Sequence, residues 1–274
     1  MRFTGKTVLV TGAASGIGYE ICRQFALAGA TVGLSSRNPK TTAEAADKIN
    51  AELGRKAVLP YACDVGDCDG IVALVHRFAA EQGGLDIYMA NAGITSFAPF
   101  LEETQESFDG LMAVNMKGTY FSTQAAAKEM IARKTKGRII LMSSVTGFQS
   151  HRNLSAYAMT KAATRMLAKN LADELGCYGI TVNVVAPGAT TSERTVADPQ
   201  YCDGWSAVSP ACRVGDCEDV AHSVLFLADP KSRHITGEVI MIDGGWTTTS
   251  PLPAHLQREL GNRTRELRSQ GVRE

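Results

Sequence analysis

The sequence predicts an α/β fold, a single doubly wound sheet of about seven parallel strands with helices on both faces. Three observations predict it. Short β-branched or aliphatic runs alternate with longer amphipathic segments along most of the chain. The short runs are almost wholly apolar, as in Val8-Leu9-Val10 and Ile139-Ile140-Leu141-Met142, which suits strands covered on both sides. A glycine cluster stands between the first strand-like run and the first helix-like one, where such sheets bind their ligands.

In chain order the strands are expected at Thr7–Thr11, Thr31–Ser35, Ala57–Cys63, Leu85–Ala90, Arg138–Ser143, Thr181–Ala186 and Glu238–Ile242. Helical patterns fill 16–29, 41–53, 67–82, 104–134, 155–177 and 216–228 between them. Two regions break the rhythm. Residues 188–215 show no clear element and read as a lid or binding loop. A C-terminal extension, 247–274, follows a domain spanning 1–246; Leu256, Leu260 and Leu267 lie on roughly one helical face of it. That extension is either an exposed helix or a strap on a neighbouring subunit.

Composition narrows the function. The chain has 274 residues, 45% of them hydrophobic and 20% charged, enough for a large core. Lys+Arg and Asp+Glu both total 28, so no basic balance points to nucleic acid or to an electrostatic membrane anchor. The seven cysteines form no CxxC pair and no zinc spacing, so reduced, packed cysteines and no metal are expected. The apolar run Thr7–Val10 is too short for a secretory core, so a cytoplasmic location is expected. The acceptor patterns at Asn153 and Asn262 are then chance matches.

The glycine cluster reads Thr11-Gly12-Ala13-Ala14-Ser15-Gly16-Ile17-Gly18. Glycine lets backbone approach a pyrophosphate, and the helix start presents unpaired N–H groups with a partial positive charge. A dinucleotide is the expected ligand. The end of the second strand reads Ser35-Ser36-Arg37-Asn38, with no carboxylate to take a ribose 2′-hydroxyl. Arg37 instead offers a cationic donor fork for a 2′-phosphate, helped by Ser36, which favours NADP(H) over NAD(H). The competing reading leaves Arg37 as a solvated loop residue.

Tyr157 and Lys161 stand four residues apart in a good helix-forming stretch, so both project from one face. A lysine ammonium beside a phenol favours the phenolate and makes the phenol a usable acid or base. Ser144 closes the fifth strand thirteen residues earlier, where a hydroxyl can hold the same substrate oxygen. Strand alternation points Ser143 the other way. Asn91-Ala92-Gly93 ends the fourth strand and would wall the pocket. Asn115, followed by Gly118, is a poor mid-helix residue; a local break is expected there, or a structural cap.

Taken together and in order, these motifs resemble the short-chain dehydrogenase/reductase family, single-domain type, similar to 3-oxoacyl-(acyl-carrier-protein) reductases and glucose dehydrogenases. The resemblance covers residues 3 to 246 and includes Cys63-Asp64-Val65, Pro187-Gly188 and Asp243-Gly244-Gly245. It implies a Rossmann-type fold. It implies Tyr157 as general acid/base and Ser144 as the residue orienting the carbonyl oxygen. Lys161 would bind the nicotinamide ribose, and Asn115 would hold a relay water. Asp64 would accept from the adenine amino group with Val65 beside the ring, Asn91 and Gly93 would flank the adenosine ribose, and Pro187 and Gly188 would pack by the nicotinamide. The carboxamide contact falls to Ser192, with Thr190 and Thr191 as alternatives.

The resemblance implies reversible hydride transfer between NADP(H) and a ketone or secondary alcohol. An NAD(H)-dependent alcohol dehydrogenase of the same family and a non-catalytic dinucleotide-binding regulator are the alternatives. Substrate would be read by Ile94–Ala98, Val145–Leu154 and the 188–215 loop. Candidate contacts are Ser96, Thr146, Phe148, His151, Arg152, Tyr201 and Trp205, with Phe97 as a further apolar wall. His151 and Arg152 are read either as substrate contacts or as solvent-facing or subunit-facing loop residues. Ala-rich faces on 104–134 and 155–177 match the helices that relatives pair, so a homotetramer or homodimer is expected.

Overall fold

The computed structural model describes residues 2–193 and 195–250. Seven strands form one sheet: β1 Thr7–Thr11, β2 Thr31–Ser36, β3 Val58–Ala62, β4 Ile87–Ala90, β5 Arg138–Met142, β6 Thr181–Pro187 and β7 Val239–Ile242. All pairings are parallel, in the order β3-β2-β1-β4-β5-β6-β7. The chain winds outward from β1 to β3, returns to the centre as β4, and winds the other way to β7. Connections leaving β1 and β4 therefore go to opposite faces, and a crevice opens at their C-terminal ends.

Helices cover both faces: α1 Gly16–Leu27, α2 Pro39–Leu53, α3 Cys68–Glu81, α4 Gln105–Leu111, α5 Thr119–Ala132, α6 Ser155–Leu175, α7 Tyr201–Ser206 and α8 Cys217–Ala228. Strand alternation divides the apolar residues between two cores. Val8, Val10, Leu34 and Ile140 meet Phe25 of α1 and Val220 and Val224 of α8. Leu9, Tyr88, Ile139 and Leu141 meet Phe78 of α3, Met130 of α5 and Ala168 of α6. Gly33 belongs to this second packing, because a Cβ there would lie 2.6 Å from the Phe78 ring. Burying a side chain of that size contributes about 1.5–3 kcal/mol.

Helix starts are set by local chemistry. The Asn38 side chain accepts from Lys40 N and Thr41 N ahead of α2, with Pro39 in the first turn. Asp216 and Asp219 form a reciprocal capping box on α8.

Two expectations are corrected and one is met. The break expected at Asn115 is present: the 104–134 stretch divides into α4, a π-helical turn at Met112–Gly118, and α5. The cause lies in contacts distant in sequence. The Asn115 amide is drawn to Ile94, and Gly118 presses so close to the Val65 carbonyl that a Cβ would overlap it. The stretch 188–215, expected to lack regular structure, contains α7 and a parallel bridge between Thr190 and Gly215. A six-residue helix containing Gly204 carries too little periodicity to be read from sequence. The cysteines are not uniformly packed: Cys22 is buried, but Cys177, Cys202 and Cys212 are exposed, and none is in a disulfide.

Among the described residues no helix is long and apolar enough to cross a membrane. Leu256, Leu260, Leu267 and Asn262 lie outside the described residues, as does the 247–274 extension beyond residue 250.

Candidate active site

The turn after β1 is built by close approach. A Cβ on Gly12 would stand 2.6 Å from Ala92 Cα, and one on Gly18 would stand 2.5 Å from the Gly12 carbonyl. Gly12 also has φ +64°. The absence of side chains there lets the turn lie directly on the chain leaving β4. Asn91 locks the two together: its amide donates to Thr11 O (2.8 Å) and Gly12 O (2.9 Å). The Thr11 hydroxyl accepts from Asn91 N and Ala92 N, both at 3.1 Å.

That packing aims the start of α1 at the crevice. Ser15 is the N-cap, but its hydroxyl makes no capping bond, and no acidic residue stands in the first turn. The first-turn donors are thus left for a ligand. One of them, Gly16 N, donates to the Glu193 carboxylate at 2.9 Å. Sequence reasoning missed Glu193. It lies in the loop after β6, 177 residues from Gly16, and no motif marks it. Its negative charge sits where an anionic ligand of this helix would sit. Glu193→Gln is expected to lower the dissociation constant for a dinucleotide about two- to fivefold, the worth of one charge at a helix start. Fluorescence titration measures it, and an unchanged constant would show that the carboxylate does not compete.

Eighteen candidate positions line one cleft of about 490 Å³: Gly12, Ser15, Gly16, Ile17, Gly18, Ser36, Arg37, Asp64, Val65, Asn91, Ala92, Gly93, Tyr157, Lys161, Pro187, Gly188, Thr190 and Ser192. Ser144 lines it too. Arg37 is exposed at the exit of β2, and Val65 is buried after β3. Asp64 Oδ1 accepts from Gly66 N at 2.8 Å, which fixes the carboxylate. Cys63, Ile94, Thr95, Val114, Met142 and Thr195 also line the cleft. Cys63 belongs to the Cys63-Asp64-Val65 motif, and Ile94, Thr95 and Thr195 to segments expected to read substrate, whereas Val114 and Met142 carry no motif of their own. Thr195 Oγ1 accepts from Ser192 N at 2.7 Å and ties the loop across itself.

Tyr157 and Lys161 share one face of α6, with the ammonium nitrogen 5.5 Å from the phenol ring centroid. Lys161 is 4% exposed and donates to Met142 O at 2.9 Å. Burial pulls its pKa down to about 8. Ser143 and Ser144 diverge as alternation requires: the Ser143 hydroxyl donates to Lys161 O at 2.7 Å, while the Ser144 hydroxyl accepts from Thr146 N. Ser143 therefore fastens β5 to α6, and Ser144 is the one turned away from that contact.

Asn115 is buried behind the cleft wall. Its Oδ1 accepts from Ile94 N, and its Nδ2 donates to Ile94 O and Thr160 Oγ1. Both amide hydrogens are spent on positioning. Gly93 lies between the two groups, since a Cβ there would be 3.3 Å from Lys161 Nζ and 3.4 Å from Asn115 Oδ1.

The expected substrate contacts scatter. Tyr201 lines the cleft, and its hydroxyl accepts from Thr190 N at 3.2 Å. Trp205, on the same short helix, packs 5.0 Å from Trp246 and 5.8 Å from His151, centroid to centroid. His151 is thus half-buried in a three-ring cluster with both indoles. Trp246 was not foreseen. Asp243 places it by accepting from Gly245 N, Thr247 N and the Thr247 hydroxyl, which turns the chain after β7. Arg152 and Phe97 are exposed, and Ser96 is hydrogen-bonded to the Ser107 hydroxyl. Phe148 stacks under the Arg165 guanidinium, and the Thr146 hydroxyl is buried. None of these lines the cleft.

Comparison with known proteins finds relatives over most of the chain. Residues 12–247 match the family model described as Enoyl-(Acyl carrier protein) reductase. Gluconate 5-dehydrogenase of Gluconobacter oxydans is 34% identical over 90% of this chain and 96% of its own length. A 3-oxoacyl-[acyl-carrier-protein] reductase of Staphylococcus aureus is 36% identical over 89% and 99%. The crystal structure of a gluconate 5-dehydrogenase from Burkholderia cenocepacia in complex with NADP and tartrate superposes with a TM-score of 0.84 at 33% identity, covering 91% of this chain and 98% of that one.

Proposed function

The chain belongs to the short-chain dehydrogenase/reductase family, an oxidoreductase family, and from that premise we propose that it interconverts a ketone and a secondary alcohol with NADP(H). The observation that carries the reading is the buried Lys161 ammonium 5.5 Å from the Tyr157 ring, on the same cleft as the glycine turn.

The residues present fit a dinucleotide. The glycine turn leaves backbone donors at the α1 start for a pyrophosphate, Asp64 and Val65 offer an adenine site, and Arg37 with Ser36 offers a 2′-phosphate site. Pro187, Gly188, Thr190 and Ser192 would border the nicotinamide. When bound, the nicotinamide supplies or accepts the hydride.

The protein's part is the proton and the oxygen. Ser144 holds the substrate oxygen, and Tyr157 gives it a proton in reduction or takes one in oxidation. Lys161, charged at neutral pH, favours the phenolate and makes that exchange accessible. With the Asn115 amide hydrogens spent on Ile94 and Thr160, its contribution is to fix the wall next to Lys161. Tyr201, with the aromatic group of Trp205, Trp246 and His151 behind it, supports an aromatic wall at the substrate end.

The cofactor preference rests on Arg37. Arg37→Ala should raise KM for NADPH at least tenfold while changing KM for NADH little, since one charge-assisted bond to phosphate is worth about 1.5–3 kcal/mol. Equal effects on both cofactors would leave Arg37 a solvated residue and favour NAD(H).

Tyr120 and Phe121 on α5 and Met159 and Met166 on α6 are exposed apolar side chains. They support a homotetramer built on these helices; a monomeric mass in light scattering would contradict it.

A further inference from the structure

Ser144 and Tyr157 stand on two different elements, the exit of β5 and the first turn of α6. Ser144 opens the short turn Val145–Gly147, and residues 148–154 separate that turn from α6. The turn is closed within itself. Gly147 N donates to Ser144 O at 3.0 Å, and Phe148 N and Gln149 N donate to Val145 O at 2.9 and 3.0 Å. Those bonds shape the turn, but its place relative to Tyr157 is set by contacts with α6.

On the β5 side of Ser144, the Ser143 hydroxyl donates to Lys161 O at 2.7 Å. On the other side, Gly147 packs directly on the same carbonyl, since a Cβ there would stand 2.8 Å from both Lys161 C and Lys161 O. That close fit permits the approach, and Arg165 supplies the attraction. Arg165 lies one helical turn beyond Lys161 on α6. Its Nη1 donates to Gly147 O at 2.7 Å, a charge-assisted bond. Its guanidinium carbon is 3.5 Å from the centroid of the Phe148 ring, so the next side chain in the chain grips the same group. Ser144 is thereby fastened to the helix of Tyr157 and Lys161 on both sides, through Ser143 and through Arg165. Arg165 is half-buried and does not line the cleft, so its route to the reaction is this turn.

We propose that Arg165 is a positioning residue, which holds Ser144 where its hydroxyl and the Tyr157 phenol meet one substrate oxygen. The inference rests on the roles proposed for Ser144 and Tyr157. A preorganised donor works only where the reacting oxygen sits, and a misplacement of about 1 Å costs about 10²-fold in rate. Removing the Arg165 side chain leaves the Ser143 bond and the glycine turn intact, so the loss falls on the placement of Ser144 and spares the dinucleotide site.

The test is a double-mutant cycle in the full-length protein, with Arg165→Met and Ser144→Ala made singly and together. Turnover is followed as NADPH consumption with the ketone that the wild type reduces fastest. Fluorescence titration of NADPH and hydrogen exchange at Gly147, Phe148 and Gln149 accompany it. Arg165→Met is expected to lower kcat at least about tenfold, keep the NADPH dissociation constant within about twofold, and speed exchange at those three amides. In the Ser144→Ala background the same substitution should change kcat by less than about twofold, because its route to the reaction is gone. An equal loss in both backgrounds would mark a merely structural arginine and overturn the proposal. Unchanged exchange at those amides would overturn it too. Arg165→Lys keeps the cation without the planar fork and should lose about threefold, again only when Ser144 is present. If Arg165→Met fails to fold, Arg165→Lys decides, and wild-type turnover in it overturns the proposal. A wild type that binds NADPH and reduces no ketone overturns the reductase reading and this proposal with it. An active wild type matched by Arg165→Met overturns this proposal alone.

Discussion

Tyr157→Phe is expected to lower kcat about 10²–10⁴-fold while leaving the dinucleotide dissociation constant within about twofold, the range set by removing a general acid/base. The ring stays, so the contact with Lys161 and the packing of α6 persist, and only the exchangeable proton is lost. Following NADPH consumption across a panel of ketones, beside a fluorescence titration of cofactor, separates the two effects. Turnover at the wild-type rate would remove Tyr157 from the reaction and return the chain to a binding role.

Lys161→Met is expected to abolish measurable turnover and yet raise stability at neutral pH. The two effects have one origin. The ammonium is buried, with Met142 O as its hydrogen-bond acceptor, and burial lowers its pKa to about 8 from the ordinary 10.5. Below pH 8 both folded and unfolded chains carry the proton, and the full cost of burying the charge is present. Between about pH 8 and 10.5 the unfolded chain binds the proton and the folded chain gives it up, so the wild type gains stability as pH rises. Methionine fills a similar volume without charge, so the variant should be more stable at pH 7, with the difference narrowing as pH rises from 8 to 10.5. Thermal unfolding of both proteins at several pH values measures the difference and cancels other titrating groups. A gap that stays constant with pH would mean that folding leaves the Lys161 pKa at its ordinary value, and the cost of burying its charge would fall; a gap already narrowing below pH 7 would mean that Lys161 is uncharged in the folded protein at neutral pH, and its assistance to Tyr157 would fall with it.

Much of the site was legible before the fold was known, and the reason is spacing. Gly12, Gly16 and Gly18 occupy one turn, and Tyr157 and Lys161 one helical turn, so backbone geometry alone places them together. Asn115 was legible only as an irregularity. That its amide would be spent on Ile94 follows from a π turn that no local pattern announces. Loop 188–215 was visible as a break in periodicity, but α7 was not.

By itself the sequence determined the sheet, its two-sided burial, the glycine turn and the Tyr157–Lys161 pair. Each of these is a matter of residue type recurring at short, fixed intervals, which the geometry of strand and helix converts directly into shared faces. Only the tertiary structure decided that Glu193 reaches Gly16 and that His151, Trp205 and Trp246 pack as one aromatic cluster. Those encounters join segments far apart in the chain. They depend on the order in which the strands assemble, and no local periodicity encodes that order.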